Sequence, residues 1–246
     1  MKCLILAAGY ATRLYPLTEN FPKPLLDVKG KTILDWLVDD IRTSGLVDEY
    51  AVVTNHKFAG HFREWAAGRP SDKISVVDDG TSTNETRLGA VKDIQFAIDA
   101  LSFDDDILVI AGDNVLDFSL VGFIEYARSK GTSCIMRYYE PSVERLHKCG
   151  VVEVDSDDKV LNMAEKPSDP RSHWCCPPFY FYTRRDARLI PSGIAAGCGT
   201  DAPGSYIAWL SAQSPVHAME MPGRRYDIGN LESYKAVCES YDGIVK

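Results

Sequence analysis

Apolar positions in the first half of the chain alternate between two spacings. Residues 2–8 are a short continuous apolar run, the mark of a buried strand. Residues 33–44 then carry Ile33, Leu34, Leu37, Val38 and Ile41 on one stripe opposite Asp35, Asp39, Asp40 and Arg42, which predicts an amphipathic helix. Residues 50–54 predict a strand. Residues 57–67, with Phe58, Phe62, Trp65 and Ala66 on one side, predict a helix, and residues 74–77 a strand. Leu88, Val91, Ile94, Ile98 and Leu101 return to helical spacing, and 107–111 is an unbroken apolar strand. Such a β-α-β-α series implies an α/β fold with a doubly wound, mainly parallel sheet. After a helix over 120–130 the rhythm changes: residues 133–138, 151–154, 160–164 and 179–183 read as strands, the middle two joined by a polar turn at 155–159. The second half is therefore expected to be a small antiparallel substrate lobe, with a closing helix over 231–241. There is no internal repeat or flexible linker.

The 246 residues suit one domain, and 45% apolar with 25% charged residues can fill a sizeable core. A formal charge of −8 argues against nucleic acid and anionic membranes as partners, while leaving room for a local basic pocket. No apolar run approaches membrane-spanning length, and residues 3–8 are too short for a signal-peptide core, so a cytoplasmic protein is expected. Cys3, Cys134, Cys149, Cys175, Cys176, Cys198 and Cys238 contain no C-x-x-C pair. The cluster His147, Cys149, His173, Cys175 and Cys176 has no usual metal spacing, so free thiols in a reducing compartment are expected.

The candidate chemistry begins at Leu6-Ala7-Ala8-Gly9-Tyr10-Ala11-Thr12-Arg13-Leu14-Tyr15-Pro16-Leu17-Thr18 and continues through Pro22-Lys23-Pro24-Leu25. A strand feeding a small-residue loop, with an arginine and a lysine nearby, supplies phosphate-binding parts. A dinucleotide fingerprint would need glycine at Ala11 and Leu14, and Lys23 lacks the flanking residues of an ATPase P-loop. Asp113 follows the buried strand 107–111, so its carboxylate should enter the cleft outside the strand ends and can hold a hard cation. Glu165-Lys166-Pro167 ends another strand with an acid and a base. Asp104 to Asp106 are expected to be a solvated loop.

Leu6 to Leu25 resembles the signature L-A-(A/G)-G-x-G-(T/S)-R-(L/M)-x-P-L-T followed by P-K-P-(L/M) of the sugar-1-phosphate nucleotidylyltransferases, apart from Ala11 at the second glycine. The likeness continues in order through Gly112-Asp113-Asn114, Gly150-Val151-Val152-Glu153, Glu165-Lys166-Pro167, Phe179-Tyr180-Phe181 and Tyr226-Asp227-Ile228-Gly229. It implies a Rossmann-like nucleotidyltransferase domain over 1–246, with a nucleotide-binding half (1–132) and a sugar-phosphate half (133–246). By the same resemblance Leu6, Ala7, Ala8, Gly9, Thr12, Arg13, Lys23, Asn84, Gly89 and Asp113 bind the nucleotide, and Arg13, Lys23, Asp113 and Lys166 are catalytic. Asn114, Gly150, Glu165, Lys166 and Tyr180 bind the acceptor, and Asp113 with Asp227 holds Mg2+. Cys176-Pro177-Pro178 departs from the family, which usually has glycine before the strand at Phe179.

The reaction implied joins an NTP and a sugar 1-phosphate into an NDP-sugar and pyrophosphate. The attacking phosphate monoester is already ionised near neutrality, its second pKa being about 6, so no general base is needed. Two alternatives stand beside it: transfer to a non-sugar phosphate or phosphonate, in the manner of cytidylyltransferases, and a non-catalytic nucleotide-sugar-binding regulator. The short stretch after Asp227 is expected to form one helix and no regulatory domain, giving a monomer or small homo-oligomer with hyperbolic kinetics.

Overall fold

In the structure, a computed structural model describing residues 1–244, the chain divides into two compact units, each discontinuous in sequence. The first comprises Met1–Arg87, Ala111–Gly122 and Pro222–Lys246, and the second Leu88–Ile110 and Phe123–Met221. The boundary expected near 132 falls inside the second unit. Residues 111–122 and 222–244 return to the first, which therefore holds both Asp113 and Asp227.

The first unit is built on three parallel strands. Lys2–Leu6 pairs with Glu49–Thr54, which pairs with Ile74–Asp78; the first two are buried aliphatic runs at their centres, whereas the third buries only Val77. The helices Ile33–Arg42 and Ala59–Ala67 make the crossovers. Ile33–Arg42 starts in a capping box: Thr32 Oγ1 accepts from Asp35 N, and the Asp35 carboxylate accepts from Thr32 N. Such a cap contributes about 1 kcal/mol. Arg225–Tyr226 pairs antiparallel with Val115–Leu116. The last helix, Leu231–Ser240, brings Val237, with Tyr241 just beyond it, into a core with Leu14, Leu26, Val28, Ile33, Val115 and Ile228. That core underlies the Leu6–Leu25 segment.

The second unit is antiparallel over most of its sheet. Its strands run in the order Val160–Glu165, Gly150–Val154, Trp174–Cys176, Ser133–Tyr139, Phe179–Tyr182 and Ile107–Ala111, with Val216–Glu220 also joining Ser133–Tyr139 in parallel. The α/β class is as the sequence predicts. The sequence pattern missed the strands Trp174–Cys176 and Val216–Glu220 and the helices Ile190–Ala195 and Gly204–Leu210. These are three to seven residues long, too short to establish a period, and Pro191, Gly193 and Pro203 mask the helical ones.

Candidate active site

Where the first strand ends, Ala7 N still donates to Val53 O (2.9 Å), and Asn55 Nδ2 donates to Ala8 O (3.0 Å), holding the loop at the carboxyl edge of the sheet. Leu6, Ala7 and Ala8 are largely covered, while Gly9, Thr12 and Arg13 are exposed. Ala11 takes left-handed backbone angles (φ 47°, ψ 42°) at the position where the signature has glycine. Its carbonyl accepts from Thr18 Oγ1 (2.8 Å) and Leu14 N (2.9 Å), so two hydrogen bonds hold a conformation that costs an alanine about 1 kcal/mol. Arg13 has no ion-pair partner among the described residues.

Lys23, in a single turn between Pro22 and Pro24, donates to Asp113 Oδ2 at 2.7 Å. Burial works against the Asp113 charge, but Lys23, with help from Arg225, outweighs it and holds the carboxyl below its ordinary value. Asn114 is 3% exposed, and its amide is committed: Nδ2 donates to Ala111 O (2.9 Å) and more weakly to Asp113 Oδ1, while Oδ1 accepts from Arg225 Nη1 (3.2 Å). The resemblance gives Asn114 to the acceptor; in the structure its amide braces the Asp113 turn. Arg225↔Leu116 and Tyr226↔Val115 are paired; Asp227 directly follows this short ladder on one strand, and Asn114 directly precedes it on the other. Asp227 is exposed.

No group of three or more His, Cys, Asp or Glu side chains is placed to hold a metal among the described residues. A half-open carboxylate at Asp113, kept ionised by its surroundings, fits a cation that takes only one or two protein ligands and completes its shell with water and phosphate oxygens.

In the second unit Glu165 is packed between two glycines. A Cβ on Gly204 would overlap Glu165 Oε1, and one on Gly150 would stand 3.0 Å from the same atom. Burial pushes the Glu165 carboxyl up, with Lys166 opposing. Lys166 also has left-handed backbone (φ 47°), secured by its N–H donating to Cys149 O (2.9 Å), and its ammonium is 4.0 Å from Asp201. The Thr200–Asp201 backbone also presses on Gly89, where a Cβ would sit 2.5 Å from Thr200 O; that contact and a φ of +92° account for the glycine without a ligand. Tyr180, expected beside the acceptor, is 2% exposed, stacked on Tyr182 at 6.1 Å, and is a core aromatic. Asn84 is exposed and accepts from Arg87 Nη1 (3.0 Å). Asp104 is clamped by Arg184 and Arg188, and all seven cysteines are free. Sequence reasoning missed Arg225, Asp201 and Gly204, residues with no signal beyond their closeness to Asp227 or to a proline.

A parallel α/β unit with a small-residue loop and Asp113 beyond its strand ends belongs to the open-sheet class, in which ligands bind outside the carboxyl ends of the strands. A family model described as nucleotidyl transferase matches residues 2–242, and the chain belongs to that family. It is similar to a glucose-1-phosphate adenylyltransferase of Fervidobacterium nodosum, 25% identical over 94% of this chain and 59% of the relative. A UTP--glucose-1-phosphate uridylyltransferase of Synechocystis sp. is 26% identical over 95% of this chain and 61% of the relative. The chain spans about three-fifths of the length of these curated relatives. In fold it is similar to a UDP-glucose pyrophosphorylase solved with UDP-glucose, with a TM-score of 0.81 and 20% identity over 98% of this chain and 97% of the other. No helix among the described residues is long and apolar enough to cross a membrane.

Proposed function

We propose that the chain transfers a nucleotidyl group from a nucleoside triphosphate to a sugar 1-phosphate, releasing pyrophosphate and forming an NDP-sugar. The observation that carries this reading is the Lys23–Asp113 pair, which ties the signature segment to the strand-end carboxylate inside one unit. An oxygen of the acceptor phosphate bonds to the α-phosphorus as the bond to the β-bridging oxygen breaks, and pyrophosphate leaves with that electron pair. No proton has to move, so the residues bind, align and neutralise charge. Exposed Arg13 binds the β- and γ-phosphates. Lys23 serves the α-phosphate, Lys166 binds the acceptor phosphate, and Glu165 accepts hydrogen bonds from acceptor hydroxyls. Asp113 and Asp227 would hold Mg2+, which supplies positive charge to the phosphate oxygens. Seven free cysteines support a reducing, cytoplasmic setting.

A second reading, transfer to a phosphorylated alcohol or phosphonate, draws support from buried Tyr180, which leaves the acceptor without the aromatic neighbour expected for a sugar ring. A non-catalytic regulator is disfavoured by the presence of Arg13, Lys23, Asp113, Lys166 and Asp227 together. Pyrophosphate release, measured with five NTPs against sugar 1-phosphates and non-sugar phosphates, tests both readings. No release with any combination would sink them, and release with non-sugar acceptors alone would favour the second.

A further inference from the structure

At the carboxyl edge of the first unit's parallel sheet, hydrogen bonds step from one strand end to the next. Thr54 Oγ1 donates to Ala7 O (3.2 Å), Asp79 N donates to Thr54 O (2.9 Å), and His56 N donates to Thr81 O (2.8 Å). Asp79 thus stands two strands from the signature loop, about 10 Å away at the usual spacing between strands. In a nucleotide the pairing edge of the base stands about that far from the α-phosphate. Tyr10, from the signature loop itself, is buried and reaches toward the same turn, its hydroxyl 3.5 Å from Thr81 O.

Asp78 and Asp79 differ sharply. Asp78 is fully engaged, with His56 Nδ1 at 2.8 Å, Arg63 at 3.5 Å and Gly80 N at 3.0 Å. Asp79 is 8% exposed; its Oδ1 accepts from both N and Oγ1 of Thr81 at 2.7 Å, while its Oδ2 is buried with no partner. A buried acceptor without a donor is rare and calls for a reason. The segment that follows, residues 82–87, is exposed and contains no helix or strand.

An ionised carboxylate only accepts hydrogen bonds. The pairing edge of uracil or thymine offers one ring N–H between two carbonyl oxygens, which a carboxylate repels. Cytosine, adenine and guanine each offer an exocyclic amino group. We propose that Asp79 reads the nucleobase, selecting one that carries an exocyclic amino group over uracil and thymine. This rests on the nucleotidyl-transfer reading above and adds the base to it.

The test is direct binding of ATP, GTP, CTP, UTP and dTTP by calorimetry at pH 8, with Asp79→Asn measured alongside and its fold checked by thermal unfolding. The expected result is that at least one of ATP, GTP and CTP binds roughly tenfold or more tightly than both UTP and dTTP. Asp79→Asn, whose amide can also donate to a carbonyl, should narrow or invert that preference. Tightest binding of UTP or dTTP to the wild-type chain, or an unchanged preference in folded Asp79→Asn, overturns base selection by Asp79 and leaves nucleotidyl transfer standing. Failure of all five to bind overturns the functional reading and the inference with it.

Discussion

Lys23 and Asp113, ninety positions apart in sequence, form a 2.7 Å ion pair in which the lysine side chain is 11% exposed and the carboxylate 43%. A nearly covered ammonium needs its partner, whereas a half-open carboxylate can accept further ligands. Lys23→Met and Asp113→Asn are therefore expected to be less than additive in urea unfolding, with a coupling of about 1 kcal/mol after allowing for solvent screening of the open side. In activity, Asp113→Asn and Asp227→Asn should each lower turnover by about two orders of magnitude or more with the fold kept, because an amide cannot supply the charge a divalent cation needs. Near-normal rates in both would remove the metal assignment.

Lys166 and Arg13 are both exposed, and neither has a buried ion-pair partner to lose; Lys166 is 57% exposed opposite a 60% exposed Asp201. Lys166→Ala and Arg13→Ala should thus leave the unfolding midpoint nearly unchanged. Their kinetic effects should differ: Lys166→Ala raises the KM for the phosphorylated acceptor, and Arg13→Ala raises that for the nucleotide. The same pattern in both variants would count against giving them separate substrates.

Gly204 offers a finer probe of the acceptor side. The methyl group of Gly204→Ala would stand on Glu165 Oε1 and within 2.5 Å of Met163 Cε, both ends of flexible side chains that can move at small cost. The variant should fold, displace Glu165, and raise the acceptor KM roughly tenfold while the nucleotide KM stays put. An unchanged acceptor KM would mean that Glu165 does not touch the acceptor.

The parallel unit was legible because its parallel strands and crossover helices are five to ten residues long, with buried runs or a clean helical stripe, as in Lys2–Leu6 and Ile33–Arg42. The signature segment and Asp113 were legible for a different reason, a fixed order of small, cationic and acidic residues after apolar strands. A motif gives residue types and no burial, so the covering of Asn114 and Tyr180 was not legible. Only the fold shows that the Asn114 amide is used up by Ala111, Asp113 and Arg225. Nor could Asp79 be separated from Asp78 by sequence, since consecutive side chains at a strand end turn to opposite sides.

Arg69 gives the first unit a pH dependence away from the site. Its guanidinium meets Asp35 and Asp39 at 2.6 Å and Asp72 at 2.8 Å, tying the helix Ile33–Arg42 to the turn before the third strand. Burial raises the Asp39 carboxyl, but Lys31 and Arg69 together hold it below its ordinary value. A depressed folded value means that the contribution is present above the unfolded carboxylate value, near pH 4, and is lost as pH falls from there through the lower folded value. Arg69→Met is expected to cost about 2–3 kcal/mol at pH 7, below the range for fully buried networks because the aspartates are partly open. Urea midpoints between pH 7 and 3 should fall less steeply for the variant than for wild type, and parallel curves would show that Asp39 gains nothing from Arg69.

Ala11 tests how the signature loop tolerates its missing glycine. An alanine-to-glycine change ordinarily costs about 0.5–1 kcal/mol through the freedom it adds to the unfolded chain. At φ 47° the alanine already carries left-handed strain of about 1 kcal/mol, which glycine would relieve, while the small contact of its methyl with the Leu14–Tyr241 core would be lost. These terms nearly cancel, so Ala11→Gly should be neutral to within about 0.5 kcal/mol in urea unfolding. Ala8→Gly, at a covered position without positive φ, should cost about 1 kcal/mol. Ala11→Val, which puts a β-branched side chain into the left-handed region, should destabilise by about 2 kcal/mol or more and raise the nucleotide KM as the loop shifts. Equal losses for Ala8→Gly and Ala11→Gly would mean that methyl packing, and not backbone strain, governs the loop.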